Sequence, residues 1–189
     1  MRRAVTWIAA GVVAVPIVLA LRMNRPRPTL WSGLGELPPC DGFDFPVGAP
    51  DGDGYYDAQP FGRNYHLGND WNGNGGGDSD LGDPVYAVAN GVVGHTRDHH
   101  GGWGRVLRIV HACGVESLYA HLDTLEVPVG VTVRRGQRIG TIGTAHGVYR
   151  AHLHFELRTQ PLPLGGGYAA DTTGFLDPTA YIRAHRPLR

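Results

Sequence analysis

The chain has 189 residues, enough for one domain with appendages, and its 42% hydrophobic and 18% charged content is that of a globular protein rather than a disordered one. Seventeen basic residues balance seventeen acidic ones, which argues against a protein that holds nucleic acid through a general basic field. Every basic residue is arginine, so chemistry that needs a lysine amine, whether a Schiff base or a lipoyl or biotinyl carrier, is excluded.

Arg2 and Arg3 precede an uncharged run from Ala4 to Leu21. At ~1.5 Å per residue this run reaches about 27 Å as a helix, barely the depth of a bilayer core. Residues 1–22 fit a secretory signal with a charged leader, and they fit an uncleaved membrane anchor. Arg22, Arg25 and Arg27 come directly after it, so charge does not settle topology. Either reading exports the rest of the chain. Residues 23–44 carry Arg25-Pro26-Arg27-Pro28 and Pro38-Pro39 and read as an extended, semi-stiff tether. The domain is expected over 45–189.

Twenty-nine glycines and fourteen prolines punctuate short apolar runs, the pattern of an antiparallel β protein. Val85–Val88 leads into Asn90-Gly91, a hairpin signal, and on to Val92–His95. Further strands are expected in Trp103–His111, Glu116–Leu122, Val131–Val133, Gln137–Ile142 and Ala151–Arg158. Asp177-Pro178 can cap a short helix through Ile182, with proline at its first position. Cys40 and Cys113 are too few for a Cys₄ zinc site. In an exported protein they can pair; otherwise they are two thiols.

The stretch Ala151-His152-Leu153-His154-Phe155-Glu156-Leu157 alternates apolar and polar residues. On a strand, His152, His154 and Glu156 share one face while Leu153, Phe155 and Leu157 share the other. The apolar set can bury while two imidazoles and a carboxylate face a cleft. Upstream, His66 and Asp70 stand four apart among poor helix formers. In a straight strand they would lie about 13 Å apart, too far to share an ion with bonds near 2 Å, so the backbone must bend, and Gly68 is where it can. His121 ends a strand in Tyr119-Ala120-His121-Leu122, where alternation sends Tyr119 and His121 one way and Ala120 and Leu122 the other. His95, His99, His100 and His111 look like solvated edge or turn residues. His185 lies in an arginine-rich tail, and His146 precedes a glycine where a cleft rim is expected. Singly, each of these histidines is accounted for without a metal. Together, His66, Asp70 and one of His152 or His154 would make a site of two nitrogens and one oxygen, which is how catalytic zinc is held.

With these motifs in this order, the sequence resembles the lysostaphin-type (LytM-like) zinc metalloendopeptidases, which cut peptide bonds in bacterial peptidoglycan. The matching text is His66-x-x-x-Asp70, Gly82-Asp83-Pro84-Val85-Tyr86-Ala87-Val88-Ala89-Asn90-Gly91, Leu118-Tyr119-Ala120-His121-Leu122, Val133-x-x-Gly136-Gln137-x-Ile139-Gly140-x-x-Gly143 and His152-x-His154, from about Phe61 to Arg158. The resemblance implies a two-layer antiparallel β-sheet sandwich with a substrate groove. It implies one Zn²⁺ held by His66, Asp70 and His154. His121 and His152 would flank the ion as general base or as stabilisers of the tetrahedral intermediate, and the substrate would be a peptidoglycan peptide. One stretch departs from the family: Trp71–Leu81, with Gly75-Gly76-Gly77-Asp78-Ser79-Asp80, is longer than the usual short turn. It can be a groove wall, a solvated loop, or a second cation site through Asp78, Asp80 and Asp83. The competing function is a non-catalytic wall-binding or partner-activating module of the same fold. Such a module would show replaced ligands, and here all five positions are intact.

Overall fold

A computed structural model describes residues 33–187. The apolar run of residues 1–22 and the first part of the tether lie outside the described residues. No helix among the described residues is long and apolar enough to cross a membrane.

The architecture is mainly β. Its strands are β1 (Tyr55–Gln59), β2 (Asn69–Gly73), β3 (Pro84–Tyr86), β4 (Gly91–Asp98), β5 (Arg105–His111), β6 (Val115–Leu125), β7 (Thr132–Val133), β8 (Arg138–Ile142), β9 (Leu153–Arg158) and β10 (Phe175–Leu176). Among the described residues one α-helix, α1 (Pro178–Ala184), follows the strands; Asp177 caps it by accepting a hydrogen bond from the Ala180 amide, with Pro178 in its first turn. The main path of the antiparallel sheet runs β1-β2-β9-β6-β5-β4-β7, and the β3–β8 pair branches from β6. The main core draws Leu153, Phe155 and Leu157 from β9, Tyr119 from β6, Leu107 and Ile109 from β5, and Val85, Ile139 and Ile142 from the branch. The opposite face of β5 and β6 carries a smaller cluster of Val106, Leu118 and Ala120. The polar face of β9 opens on that side.

Asn90-Gly91 does not turn a hairpin. β3 pairs with β8, while β4 pairs with β5 and β7. The reason is that Asn90 spends its side chain on other segments. It donates to the Pro39 carbonyl and to Asp41, and accepts from the Arg135 amide. The intervening Ala87, Val88 and Ala89 are fully buried rather than exposed at a turn.

The last residues of the stretch read as a tether pack on the domain. The Phe43 side chain is buried, the Asp44 amide donates to the Val88 carbonyl, and the Asp44 carboxylate pairs with Arg135 and Arg186. Cys40 and Cys113 form a disulfide across 73 residues. Closing a loop of that length removes about 4 kcal/mol of chain entropy from the unfolded state.

His111 is not a solvated turn residue. It is fully buried between the Asn90 carbonyl and the Ser117 hydroxyl, each 2.8–2.9 Å from a ring nitrogen. Burial pushes it down to about 4, against one raising hydrogen bond to the Asn90 carbonyl. The folded protein therefore binds this proton less readily than the unfolded chain, whose histidines titrate near 6.5. Its contribution to stability is complete above pH ~6.5 and is lost as the pH falls through about 4, a change of about 3 kcal/mol. Denaturant titrations of wild type and His111→Gln at pH 7 and pH 4 check this: the wild type should lose more stability between the two, by about that amount. Equal losses would refute it.

Candidate active site

The register across three strands sets the centre of the site. Asp70 on β2 faces His154 on β9, and His154 in turn faces Ala120 on β6. Directly opposed residues have Cβ atoms about 5 Å apart, within reach of a shared ion. His66 joins from outside the strand. It comes after a 3₁₀ turn at Arg63–Tyr65, and the chain bends at Leu67-Gly68 before β2 begins. Gly68 is needed there: a Cβ would lie 2.9 Å from the Glu156 Cγ and closer still to the Phe155 carbonyl oxygen. The bend brings His66 Nε2 to 3.4 Å from Asp70 Oδ1, although the two residues are four apart in sequence.

Three ligand atoms now converge. His154 Nδ1 lies 2.9 Å from Asp70 Oδ1 and 3.1 Å from His66 Nε2. Donors about 2.1 Å from one tetrahedral zinc stand about 3.4 Å from one another, so the spacing fits. The far side of each ring fixes its tautomer. His66 Nδ1 donates to the Gln59 carbonyl, and His154 Nε2 donates to Glu156, each at 2.9 Å. Both remaining lone pairs therefore point at each other and at a carboxylate oxygen, an arrangement that calls for a positive charge between them. The electrostatics agree. Burial works against a charged His154, but the hydrogen bonds and charges of Asp70 and Glu156 outweigh it and raise the ring to about 9. Burial likewise opposes ionisation of Asp70, yet when protons stand on the facing nitrogens in place of a metal, the hydrogen bonds from His154 and His66 hold its carboxyl well below the usual range.

Glu156 does not face the cleft as the alternation suggested. It is fully buried behind His154, paired with the equally buried Arg158. It serves as the partner that orients the imidazole.

His152 and His121 stand beside this centre, their ring centroids 4.7 Å apart. His152 precedes β9; its amide donates to the Gly143 carbonyl, and its Nδ1 donates to the Arg150 carbonyl. That leaves Nε2 free, 3.8 Å from Asp70 Oδ1. His121 reaches the cleft by breaking alternation. Arg105 faces Leu122 and Leu107 faces Tyr119, so Ala120 and His121 together oppose the single Val106. This β-bulge, with His121 at φ 62°, leaves Tyr119 and Leu122 in the core and sends His121 to the other face. Burial, then the charges of His154 and His152, push His121 down to about 3. Its Nδ1 is buried with no hydrogen-bond partner among the described residues.

The cleft of about 570 Å³ is lined by Asp70, His121, His152 and His154, by Trp103, Tyr149 and Tyr168, and by Gly102, Gly166 and Gly167. The three aromatics were missed in the sequence. Their one signal is an aromatic set among glycines, outside any alternating run. The long loop after β2 is solvated, with residues 74–79, 81 and 82 exposed and Asp80 buried, and its carboxylates do not gather into a cation site. Asp78 accepts from the Ala151 amide at 2.8 Å, the buried Asp80 accepts from Gly73, and Asp83 accepts from the Tyr55 hydroxyl. Each carboxylate is taken by a separate partner, and the first of these holds the residue just before His152.

An antiparallel β fold with a His₂Asp donor set and two free imidazoles in an open cleft defines a candidate hydrolytic metal centre. The family model described as Peptidase family M23 matches residues 65–165, and the chain belongs to that family. The sequence is 41% identical over 83 residues to a DD-carboxypeptidase/endopeptidase Mpg of Neisseria meningitidis. Those residues are 44% of this chain and 19% of that protein, so the chain spans a small part of this relative. The fold is similar to the catalytic domain of lysostaphin from Staphylococcus simulans, with TM-score 0.57 and 24% identity over 70% of this chain and 95% of that one. It is also similar to a zinc containing peptidase from Vibrio cholerae, with TM-score 0.51 and 28% identity over 69% of this chain and 40% of that one.

Proposed function

We propose that this chain is an exported zinc metalloendopeptidase that hydrolyses peptide crosslinks of bacterial peptidoglycan. His66, Asp70 and His154 would hold one zinc, and His121 and His152 would be the catalytic side chains. The observation that carries this reading is the convergence of two imidazole lone pairs and a carboxylate oxygen within 2.9–3.4 Å, beside two further imidazoles in one cleft. Export is supported by the apolar run at residues 4–21 and by a disulfide, which persists in oxidising compartments. The protein would be anchored facing the wall or periplasm, or secreted if residues 1–22 are cleaved.

When bound, zinc supplies a Lewis acid that polarises the scissile carbonyl and lowers the pKa of water toward 7. His152 suits proton transfer: with Nδ1–H tied to Arg150, its Nε2 accepts the proton of the attacking water and returns it to the leaving amine. His121 suits a different task. Its burial keeps it neutral, and a neutral imidazole N–H can donate to the developing oxyanion without an ion of its own to desolvate. Trp103, Tyr149 and Tyr168 would flank an extended peptide, and Gly102, Gly166 and Gly167 leave room for its backbone.

The test is digestion of defined muropeptides by zinc-loaded full-length protein, with products read by mass spectrometry. New amine and carboxylate termini at a crosslink are expected. Intact substrates throughout, with zinc bound, would favour the wall-binding reading.

A further inference from the structure

A second set of metal-ligating side chains lies outside the cleft. Asp98 ends β4, His100 lies in the β4–β5 loop, and His146 sits in the loop between β8 and β9. His146 Nε2 is 2.9 and 3.0 Å from the two Asp98 oxygens, and His100 Nδ1 is 3.4 Å from Asp98 Oδ1. One ligand atom from each residue lies within 4.8 Å of the others. The separations of both histidines from Asp98 are close to the ~3.4 Å edge of a tetrahedral zinc site. The rings of His100 and His146 are 5.7 Å apart and tilted by 37°, so both can turn a nitrogen toward one point. Both histidines have left-handed backbone, at φ 55° and φ 61°, which for a residue with a Cβ is an unfavourable conformation. Asp98 Oδ1 also accepts from the His100 amide at 2.9 Å, and Arg105 Nε lies 3.6 Å from Oδ2. The neighbouring His95 and His99 pair with each other, Nε2 to Nε2 at 2.9 Å, and do not enter the set.

The two loops meet with almost nothing between them. A Cβ on Gly102 would lie 2.7 Å from the Tyr149 hydroxyl, and one on Gly104 would lie 2.8 Å from the Ala145 Cα. The same loops carry Trp103 and Tyr149, two walls of the cleft. We propose that Asp98, His100 and His146 bind a second divalent transition metal, zinc by donor type, which clamps the β4–β5 loop to the β8–β9 loop. The ion stiffens the Trp103 and Tyr149 walls of the cleft without touching the catalytic centre. Its ligands are more exposed than those of the first site: His100 is 82% exposed and His146 37%. Its affinity should therefore be lower, which makes occupancy responsive to zinc supply.

The experiment uses the untagged full chain, dialysed against graded zinc, with bound metal counted by mass spectrometry. Hydrogen exchange is monitored in residues 98–104 and 144–149. Wild type should bind two ions, the weaker one slowing exchange in both loops. Asp98→Asn and His146→Gln should keep the tight ion and weaken the second by at least ~10-fold, since loss of even an outer partner of a metal site costs 10–100-fold. His95→Gln/His99→Gln should still bind two. One ion in wild type and variants alike would overturn the clamp and leave the first site standing. Two ions in the Asp98 and His146 variants, or loss of the second ion in the His95/His99 variant, would place it elsewhere and also overturn the clamp. No zinc on wild type would remove both sites.

Discussion

His154→Ala should abolish bound zinc and peptide hydrolysis together. His154 is the middle of the row, in contact with both other ligands and with the orienting carboxylate of Glu156. Its loss leaves a carboxylate and one imidazole, a donor set too small to hold zinc at a three-ligand site. The contrast is His152→Ala, whose ring Nε2 stands 3.8 Å from Asp70 Oδ1. That variant should keep its zinc while kcat falls by about 10²–10⁴, the usual worth of a general base. Glu156→Gln lies between the two: the amide can still accept from His154, but without its charge zinc affinity should fall by about 10-fold or more. Metal content and muropeptide kinetics on the three variants check the assignment. Full zinc on His154→Ala would sink it.

Gly143→Ala should lose catalysis and keep the metal. A Cβ at this position would lie 2.5 Å from the His121 carbonyl oxygen and the Asp123 amide, and 2.7 Å from the Leu122 carbonyl carbon. These are backbone atoms in and just after the bulge, so no side-chain rotation relieves the contact. The carbonyl of Gly143 also receives the His152 amide. The added methyl therefore displaces both proposed catalytic imidazoles, His121 and His152, while touching none of the three proposed ligands. A misplacement of about 1 Å at reacting groups costs on the order of 10²-fold. The overpacking should also cost about 1–3 kcal/mol of stability. The expected result is about 100-fold lower kcat with one tight zinc retained. Gly68→Ala should instead lose zinc, and hydrolysis with it, because its methyl would press on β9 at Phe155 and Glu156 and separate His66 and Asp70 from His154. Unchanged kcat in Gly143→Ala would mean that the bulge does not set the position of the histidines.

The candidate ligand residues were legible as a group because their chemistry is local. A strand that alternates His, His, Glu with Leu, Phe, Leu declares its own two faces, and β9 buries the apolar one. The need for a bend between His66 and Asp70 also comes from chain dimensions alone, and the backbone bends at Leu67-Gly68. The α1 cap was readable from Asp177-Pro178. Long-range pairing was not readable in the same way. Asn90-Gly91 carries a hairpin signal, but three distant partners compete for its side chain and win.

By itself, then, the sequence determined the residue types of the centre, the faces of β9 and the β character of the chain, because period-2 patterning and chain reach act between near neighbours. Only the tertiary structure decided where His121 points. Alternation puts it in the core with Tyr119, whereas a bulge formed against the single Val106 turns it to the cleft. It also decided that His111 is buried, that Glu156 stands behind His154, and that Asp78 holds the amide before His152. Each of these depends on which backbone lies alongside. That is set by packing between residues tens of positions apart, which no local pattern encodes.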